Sequence, residues 1–450
     1  MMNGRARGLA RRLALFVGLS ALLVSAAQAA PRPRPILIVP FDTVGLAPED
    51  AWLGEAVAQV LALGLAQHPA FVQVDRARLR AVGQPEAWGD AVVAQAARAL
   101  KVDAVLYGTV SRSGTDLLIR PRLLEVKGGA TDTVALEPVT AGDVDLLARL
   151  AELPVAYART LRVALTEAER ARIERAARPT RSLKALELFA RGQAAFRRGG
   201  QEGNETAVEL LSRAVEVDPN FVVAHYTLGV VHQALGNRWK AAAQYRATTQ
   251  LDPTFPEAYK ALGDLFLTAP RRLFDQAVEA YSKAIELRPF YAEAHMGLGD
   301  ARAAKGDVDG AIAAYQRALA FNPTNPRAHL SLGRIYYGEK GLYYEAVAAY
   351  KKALELDPLS LDARMGLGEI YEDKGLYKEA IEEYRKVIEI DPKHTGALYN
   401  LAIVYEKVDP REAIAQWERY IAIASQLPSE KDWVDVARQH LRKLRNQLKE

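Results

Sequence analysis

Few residues in this chain combine the types and spacings that chemistry needs. Gly306-Asp307-Val308-Asp309-Gly310 has the alternating oxygen donors of part of a calcium-binding loop. Such a loop also needs an acidic first position and a closing glutamate. Here Lys305 holds the first position and the glutamate is missing, so a solvated turn is expected. His225 and His232 can share one helix face, as two metal ligands would, but no third ligand accompanies them. His225, His295 and His329 recur at one equivalent position, which points to packing. Asp42, Asp75 and Asp103 fall at strand ends, where a general acid or base could act, yet none has a base or metal partner nearby in sequence. A phosphate-binding loop, a serine-nucleophile elbow and a two-histidine zinc helix are all absent. With no cysteine in the chain, disulfides, thiol catalysis, thiolate metal sites and an N-terminal lipidated cysteine are excluded. The expectation is therefore no cofactor, no metal and no enzyme. A rival enzymatic reading would have to place its chemistry within residues 36–165.

The elements that would carry any function begin after a leader. Arg5, Arg7, Arg11 and Arg12 precede an apolar run from Leu13 to about Ala27, followed by Ala27-Gln28-Ala29. Basic, apolar, small is the order of a cleaved secretory signal, placed here over residues 1–29. The run is shorter than the roughly 20 residues a membrane-spanning helix takes. Arg11-Arg12 leaves twin-arginine export open beside the general route. The whole chain carries 59 Lys+Arg and 55 Asp+Glu. Cleavage removes four arginines and no acids, leaving a formal net charge of zero. Such a chain has no overall pull towards nucleic acid or anionic lipid. The expected location is the periplasm, with secretion as the alternative, and no membrane helix in the mature chain.

A Pro-rich lead-in over residues 30–35 precedes a mixed domain over residues 36–165. Ile36–Val39, Phe71–Val74 and Ala104–Val110 read as strands, and Trp52–Gln67 and Ala91–Leu100 as helices. Ser113-Gly114 and Gly128-Gly129 are turns that fold Ala104–Val110, Asp116–Val126 and Thr131–Leu136 into an antiparallel meander. Asp143–Leu165 is a closing helix. The pattern predicts a small α/β domain with helices on a mixed sheet. A charged helical connector over residues 166–187, broken at Arg178-Pro179-Thr180, leads into the rest.

From Leu188 the sequence repeats. Asp218-Pro219, Asp252-Pro253, Arg288-Pro289, Asn322-Pro323, Asp357-Pro358 and Asp391-Pro392 follow one another at 34, 36, 34, 35 and 34 residues. Leu-Gly recurs at Leu228, Leu262, Leu298, Leu332 and Leu367. Small residues recur at Ala241, Ala277, Ala311, Ala346 and Ala380, each followed by tyrosine at Tyr245, Tyr281, Tyr315, Tyr350 and Tyr384. Over residues 188–428 the sequence resembles tetratricopeptide repeats, whose period is about 34. Seven copies start near Leu188, Val222, Pro256, Ala292, Pro326, Leu361 and Thr395, with a capping helix over residues 429–450. The glycine and alanine admit close helix crossing, the tyrosine fills the space between repeats, and proline ends each second helix. The predicted fold is thus multidomain: a small α/β domain followed by an all-α repeat superhelix.

The front domain, through Val39-Pro40-Phe41-Asp42, Gly54, Gln73-Val74-Asp75-Arg76 and Ala104–Val110, resembles the TolB amino-terminal-like domain. Such domains precede tetratricopeptide repeats in some bacterial adenylate cyclases and transcriptional regulators. The resemblance implies an envelope-side sensory or scaffolding module. For the repeats, family analogy points two rows of first-helix residues into a concave groove. One row is Tyr226, Lys260, Met296, Leu330, Met365 and Tyr399. The other is Val230, Asp264, Asp300, Arg334, Glu369 and Ile403. An extended or helical peptide with apolar anchors and some basic residues would suit these rows. The terminal-carboxylate clamp of co-chaperone repeats needs paired Asn and Lys. Lys260 stands alone, so that clamp is not expected. The reading is a protein-binding scaffold or adaptor of the cell envelope, without nucleic-acid or small-molecule ligands. The alternative is a structural part of a secretion or polysaccharide-export assembly.

Overall fold

The computed structural model of the protein describes residues 34–73, 85, 87–100, 102–127, 130–142 and 145–448. The leader, residues 30–33 of the lead-in, Asp75 and the Gly128-Gly129 turn lie outside them. The described residues fall into two compact units, one up to Gln244 and one from Tyr245.

The first unit opens with β1 (Arg34–Ile38), β2 (Asp42–Val44), α1 (Trp52–Leu65), β3 (Phe71–Gln73) and α2 (Asp90–Leu100). The strands β4 (Ala104–Ser113), β5 (Asp116–Lys127), β6 (Ala130–Ala135) and β7 (Val139–Ala141) follow. They form one mixed sheet in the order β3-β1-β4-β5-β6, with β2 beside β4 and β7 beside β5. β1 runs parallel to β3 and β4, whereas β4, β5 and β6 form the expected antiparallel meander. Strand alternation divides the side chains between two faces. Ile36, Ile38, Leu106 and Ile119 join a core with α1, while Leu37, Val39, Val105 and Leu124 pack with α2. The short strands β2 and β7 were not expected from the sequence.

Between β1 and β2 the chain dips under α1. The Phe41 amide donates to the Gly54 carbonyl at 3.1 Å. A Cβ on Gly54 would lie 1.9 Å from the Phe41 carbonyl oxygen, and one on Gly108 would lie 2.7 Å from the Phe41 ring. Close approach of this kind is open only to glycine. Phe41, Gly54 and Gly108 are thus one packing device. Asp42 belongs to it as well. Its two carboxylate oxygens accept from the Trp88 amide at 3.0 and 2.8 Å. Burial raises the Asp42 pKa, partly offset by that hydrogen bond. Asp42 thus anchors the segment leading into α2.

The unit continues through α3 (Leu146–Thr160), α4 (Glu167–Ala176), α5 (Leu183–Arg198), α6 (Gly200–Val217) and α7 (Val222–Ala234). A capping box of Thr166 and Glu169 starts α4. The helix α5 begins at Leu183 instead of Leu188, because Ser182 caps it by accepting from the Ala185 amide at 3.1 Å. One hydrophobic core runs from the sheet through Leu61 and Tyr157 to Phe189, Leu211 and Phe221. The first repeat is therefore built onto the front domain. Glu55 on α1, 3% exposed, pairs with Arg197 on α5, and the Arg191 guanidinium donates to the Glu49 carbonyl at 2.6 Å.

The helix α8 (Arg238–Leu251) runs across the division between the units. The second unit then consists of the helix pairs α9 (Pro256–Leu267) with α10 (Phe274–Leu287), and α11 (Ala292–Ala304) with α12 (Val308–Phe321). Next come α13 (Pro326–Gly338) with α14 (Tyr343–Leu356), and α15 (Leu361–Asp373) with α16 (Tyr377–Ile390). The pair α17 (Thr395–Val408) and α18 (Pro410–Ala424) is followed by α19 (Lys431–Gln447). The Tyr281 ring lies between Gly263 of its own pair and Gly297 of the next. Cβ atoms added there would come within 2.8 and 2.3 Å of the ring. Tyr350 sits likewise between Gly333 and Gly366, at 2.7 and 2.4 Å. The recurring glycine and tyrosine are therefore two halves of one contact between successive repeats.

Candidate binding face on the repeats

The tyrosines that fill the space between repeats keep a polar end, which needs a partner once buried. The Tyr281 hydroxyl donates to Asp264 at 2.7 Å, Tyr315 to Asp300 at 2.8 Å and Tyr384 to Glu372 at 3.0 Å. In the last pair Trp417 replaces the tyrosine, and its indole N–H donates to Glu406 at 2.7 Å. Burial first, then the neighbouring acid, pushes Tyr281 and Tyr384 well above the usual phenol range. In these four pairs the first helix thus supplies an acid that holds the aromatic side chain of the second.

These bonds change what the expected rows can offer. Asp264 also pairs with Lys260 at 2.7 Å. Asp300 pairs with Arg327 of the next repeat, and Arg334 with Asp362 of the repeat after that at 2.7 Å. Four of the expected charges, Lys260, Asp264, Asp300 and Arg334, are therefore neutralised within the second unit. Glu369 differs: among the described residues no cationic nitrogen makes an ion pair with it. Met296 departs from the expectation of an open groove residue. It is 4% exposed and packs with Ala311, Tyr315 and Ala318. The two alanines leave a space that the long, flexible methionine fills. Leu330 and Met365 remain half-buried, each beside the first helix of the next repeat. Tyr399 makes edge contacts at 5.0, 5.4 and 5.4 Å with Trp417, Tyr420 and Trp433, so the last row member is packed against α19. Tyr226 and Val230 lie half-buried on α7 of the first unit.

The recurring histidines close the turns between repeats. His225, His295 and His329 bond the carbonyls of Pro219, Pro289 and Pro323, the first two at 3.1 and 2.9 Å. Arg364 does the same to Pro358 at 2.9 Å. Burial lowers the pKa of His295 and His329. A lowered folded-state value means that the unfolded chain binds protons first. Stability from these sites is complete above the unfolded histidine pKa near 6.5 and is lost as pH falls through it. Asp300, Glu369 and Glu372 have raised values and work in the opposite direction at lower pH. We therefore expect the urea midpoint to fall between pH 7.5 and 6 in the wild type. The fall should be smaller in a His295→Gln/His329→Gln variant, compared across the same two pH values.

Among the described residues no group of three or more His, Asp or Glu side chains could hold a metal ion, and no helix is long and apolar enough to cross a membrane. What the second unit does present is stacked helix pairs with a row of apolar and charged first-helix residues. That arrangement defines a helical-repeat solenoid. Family profiles described as TPR repeat match residues 274–306 and 299–339, and as tetratricopeptide repeat match 320–359 and 330–395. The TolB amino-terminal domain profile matches residues 22–131. The chain thus carries tetratricopeptide-type repeats and, ahead of them, a segment that matches the TolB amino-terminal domain.

Similar proteins include the small glutamine-rich tetratricopeptide repeat-containing protein 2 of Mycosarcoma maydis. It is 30% identical over 115 residues, which cover 26% of this chain and 31% of that protein's length. Among solved structures, MamA is 32% identical, covering 37% of this chain and 94% of its own, with a TM-score of 0.33. YrrB, described as a TPR protein with an unusual peptide-binding site, is 22% identical over 42% of this chain and 97% of its own, at 0.36. PilW, described as a type IV pilus biogenesis factor, is 21% identical over 47% and 95%, at 0.43.

Sequence reading missed Arg327 and Asp362, which sit at the second position of their helices. Their signal was available, because each carries the opposite charge to the second-row residue one repeat earlier.

Proposed function

We infer that the protein is a non-enzymatic adaptor of the cell envelope that binds a partner polypeptide along the first-helix face of its repeats. The observation that carries this reading is the half-buried apolar pair Leu330 and Met365, left on a face whose other charges are mostly paired to one another. Apolar side chains that one neighbour leaves partly uncovered supply the anchors a peptide groove needs. The charges around them set orientation more than affinity. The envelope part of the reading rests on the export-type leader over residues 1–29 and on the TolB amino-terminal profile.

Cross-linked affinity purification from the native envelope tests it. The full chain should retain partners that a Leu330→Ala/Met365→Ala variant loses at least tenfold, with unchanged helix content. Changing one charged row member, such as Arg334→Gln, should alter capture less than about fivefold, since an exposed pair contributes at most about 1 kcal/mol. Equal capture by the double variant would remove the face as the binding site.

A further inference from the structure

The charges of the first-helix face are not evenly compensated. At the α9 and α11 steps the acids Asp264 and Asp300 each have a cation and a tyrosine hydroxyl. At the α15 step three acids, Glu369, Glu372 and Asp373, crowd the last turn of the helix. Tyr384 and Tyr337 donate to Glu372 and Asp373 at 3.0 and 2.8 Å. Among the described residues none of the three has a Lys, Arg or His in ion-pair contact. Arg334 and Lys407 act on Glu369 and Glu372 only from farther away, and Arg334 is already committed to Asp362.

This placement is costly for the free protein. A helix C-terminus carries partial negative charge and favours cations; the last turn of α15 holds no basic residue, and Lys374 at its cap places its ammonium over the Tyr343 ring, 3.3 Å from the centroid, in ion-pair contact with none of the three acids. Glu369 is pushed above its ordinary pKa by burial first and then by Glu372 and Asp373. Local rules are broken in this way where a ligand supplies the missing element. The same helix provides an apolar neighbour. Met365, Glu369 and Glu372 stand at i, i+4 and i+7, one stripe of one face. Met365 reaches Gly396 of the next first helix, and Leu330 lies one repeat earlier.

Resting on the adaptor reading above, we propose that the bound segment is basic: an apolar side chain seats on Leu330 and Met365, and an adjacent Lys or Arg neutralises Glu369, Glu372 and Asp373. The occupant is a partner polypeptide, chosen by charge complementarity to this apolar and acidic stripe. The cation supplies the ion-pair contact that Glu369, Glu372 and Asp373 lack, so recognition and relief of repulsion are the same event.

Fluorescence anisotropy with three labelled twelve-residue peptides, in which leucine alternates with lysine, glutamine or glutamate, tests the proposal on the full chain. The lysine probe should bind at least tenfold more tightly than the glutamine probe. A Glu369→Gln/Glu372→Gln/Asp373→Asn variant should bring the two together. That variant keeps acceptors for both tyrosines, and its melting temperature should equal or exceed that of the wild type, because three like charges are gone. Equal binding of lysine and glutamine probes, or an unchanged lysine preference in the triple variant, overturns the proposal. If the Leu330→Ala/Met365→Ala variant still loses its envelope partners in that case, the adaptor reading survives without it. If neither partners nor probes depend on these residues, both fall.

Discussion

Replacing Arg197 with methionine should destabilise the amino-terminal unit by about 3 kcal/mol, the lower end of the range for removing one partner of a buried ion pair, since Glu55 keeps its other contacts. Glu55 is 3% exposed and sits on α1, among Leu53, Val57 and Leu61. Glu55 also accepts from the Gln59 amide at 3.1 Å, a neutral donor weaker than a guanidinium. Methionine keeps the length and apolar stem of arginine, so the loss isolates the charge. The check is native-state hydrogen exchange of the β1 and β4 amides, which reports this unit separately from the rest of the chain. The Glu55→Gln/Arg197→Met double variant should recover much of the loss, because it leaves no uncompensated charge. Losses that simply add would show that Arg197 contributes by packing alone. The result bears on architecture, since this pair ties the first repeat to the front domain within one core.

The period of the repeats and the helix-forming segments were legible because the same residue types return about every 34 positions. The antiparallel meander was legible because alternation and turn residues agree over β4 and β5. The strands β2 and β7 were not, since three residues carry no readable alternation. The tyrosines were legible as fillers, but their hydroxyl partners were not. The accepting acid stands at one helix position in Asp264 and Asp300 and almost a turn later in Glu372 and Glu406. Met296 looked like a groove residue because its position matches Leu330 and Met365. The same small residues recur opposite Leu330, so the shared position does not report that Met296 is covered and Leu330 only half-buried. The same limit hid the difference between Asp300 and Glu369. Their own positions are equivalent, and only the next repeat decides which of them finds a cation.

Gly54→Ala should cost the front domain about 3 kcal/mol, the upper part of the range for forcing an extra methyl into a packed site. Alanine favours a helix over glycine by about 1 kcal/mol, so propensity alone predicts the opposite sign. Packing wins here because neither side can retreat. The new Cβ would meet a backbone oxygen, that of Phe41, at 1.9 Å, and no rotamer change moves it. The Phe41 ring is already set against Gly108, and its amide is held by the Gly54 carbonyl at 3.1 Å. On the other side α1 is fixed by Leu53, Val57 and Leu61, all 3% exposed or less. Gly142→Ala is the matched control. Among the described residues its Cβ would meet only the Asp116 carboxylate, at an ordinary 3.5 Å, and its effect should stay within about 0.5 kcal/mol. Hydrogen exchange of the β4 amides compares the two. If Gly54→Ala protects them as well as Gly142→Ala does, α1 can ride away from Phe41. The close crossing would then not be what holds the helix to the sheet, and the front domain's motif would need another cause than packing.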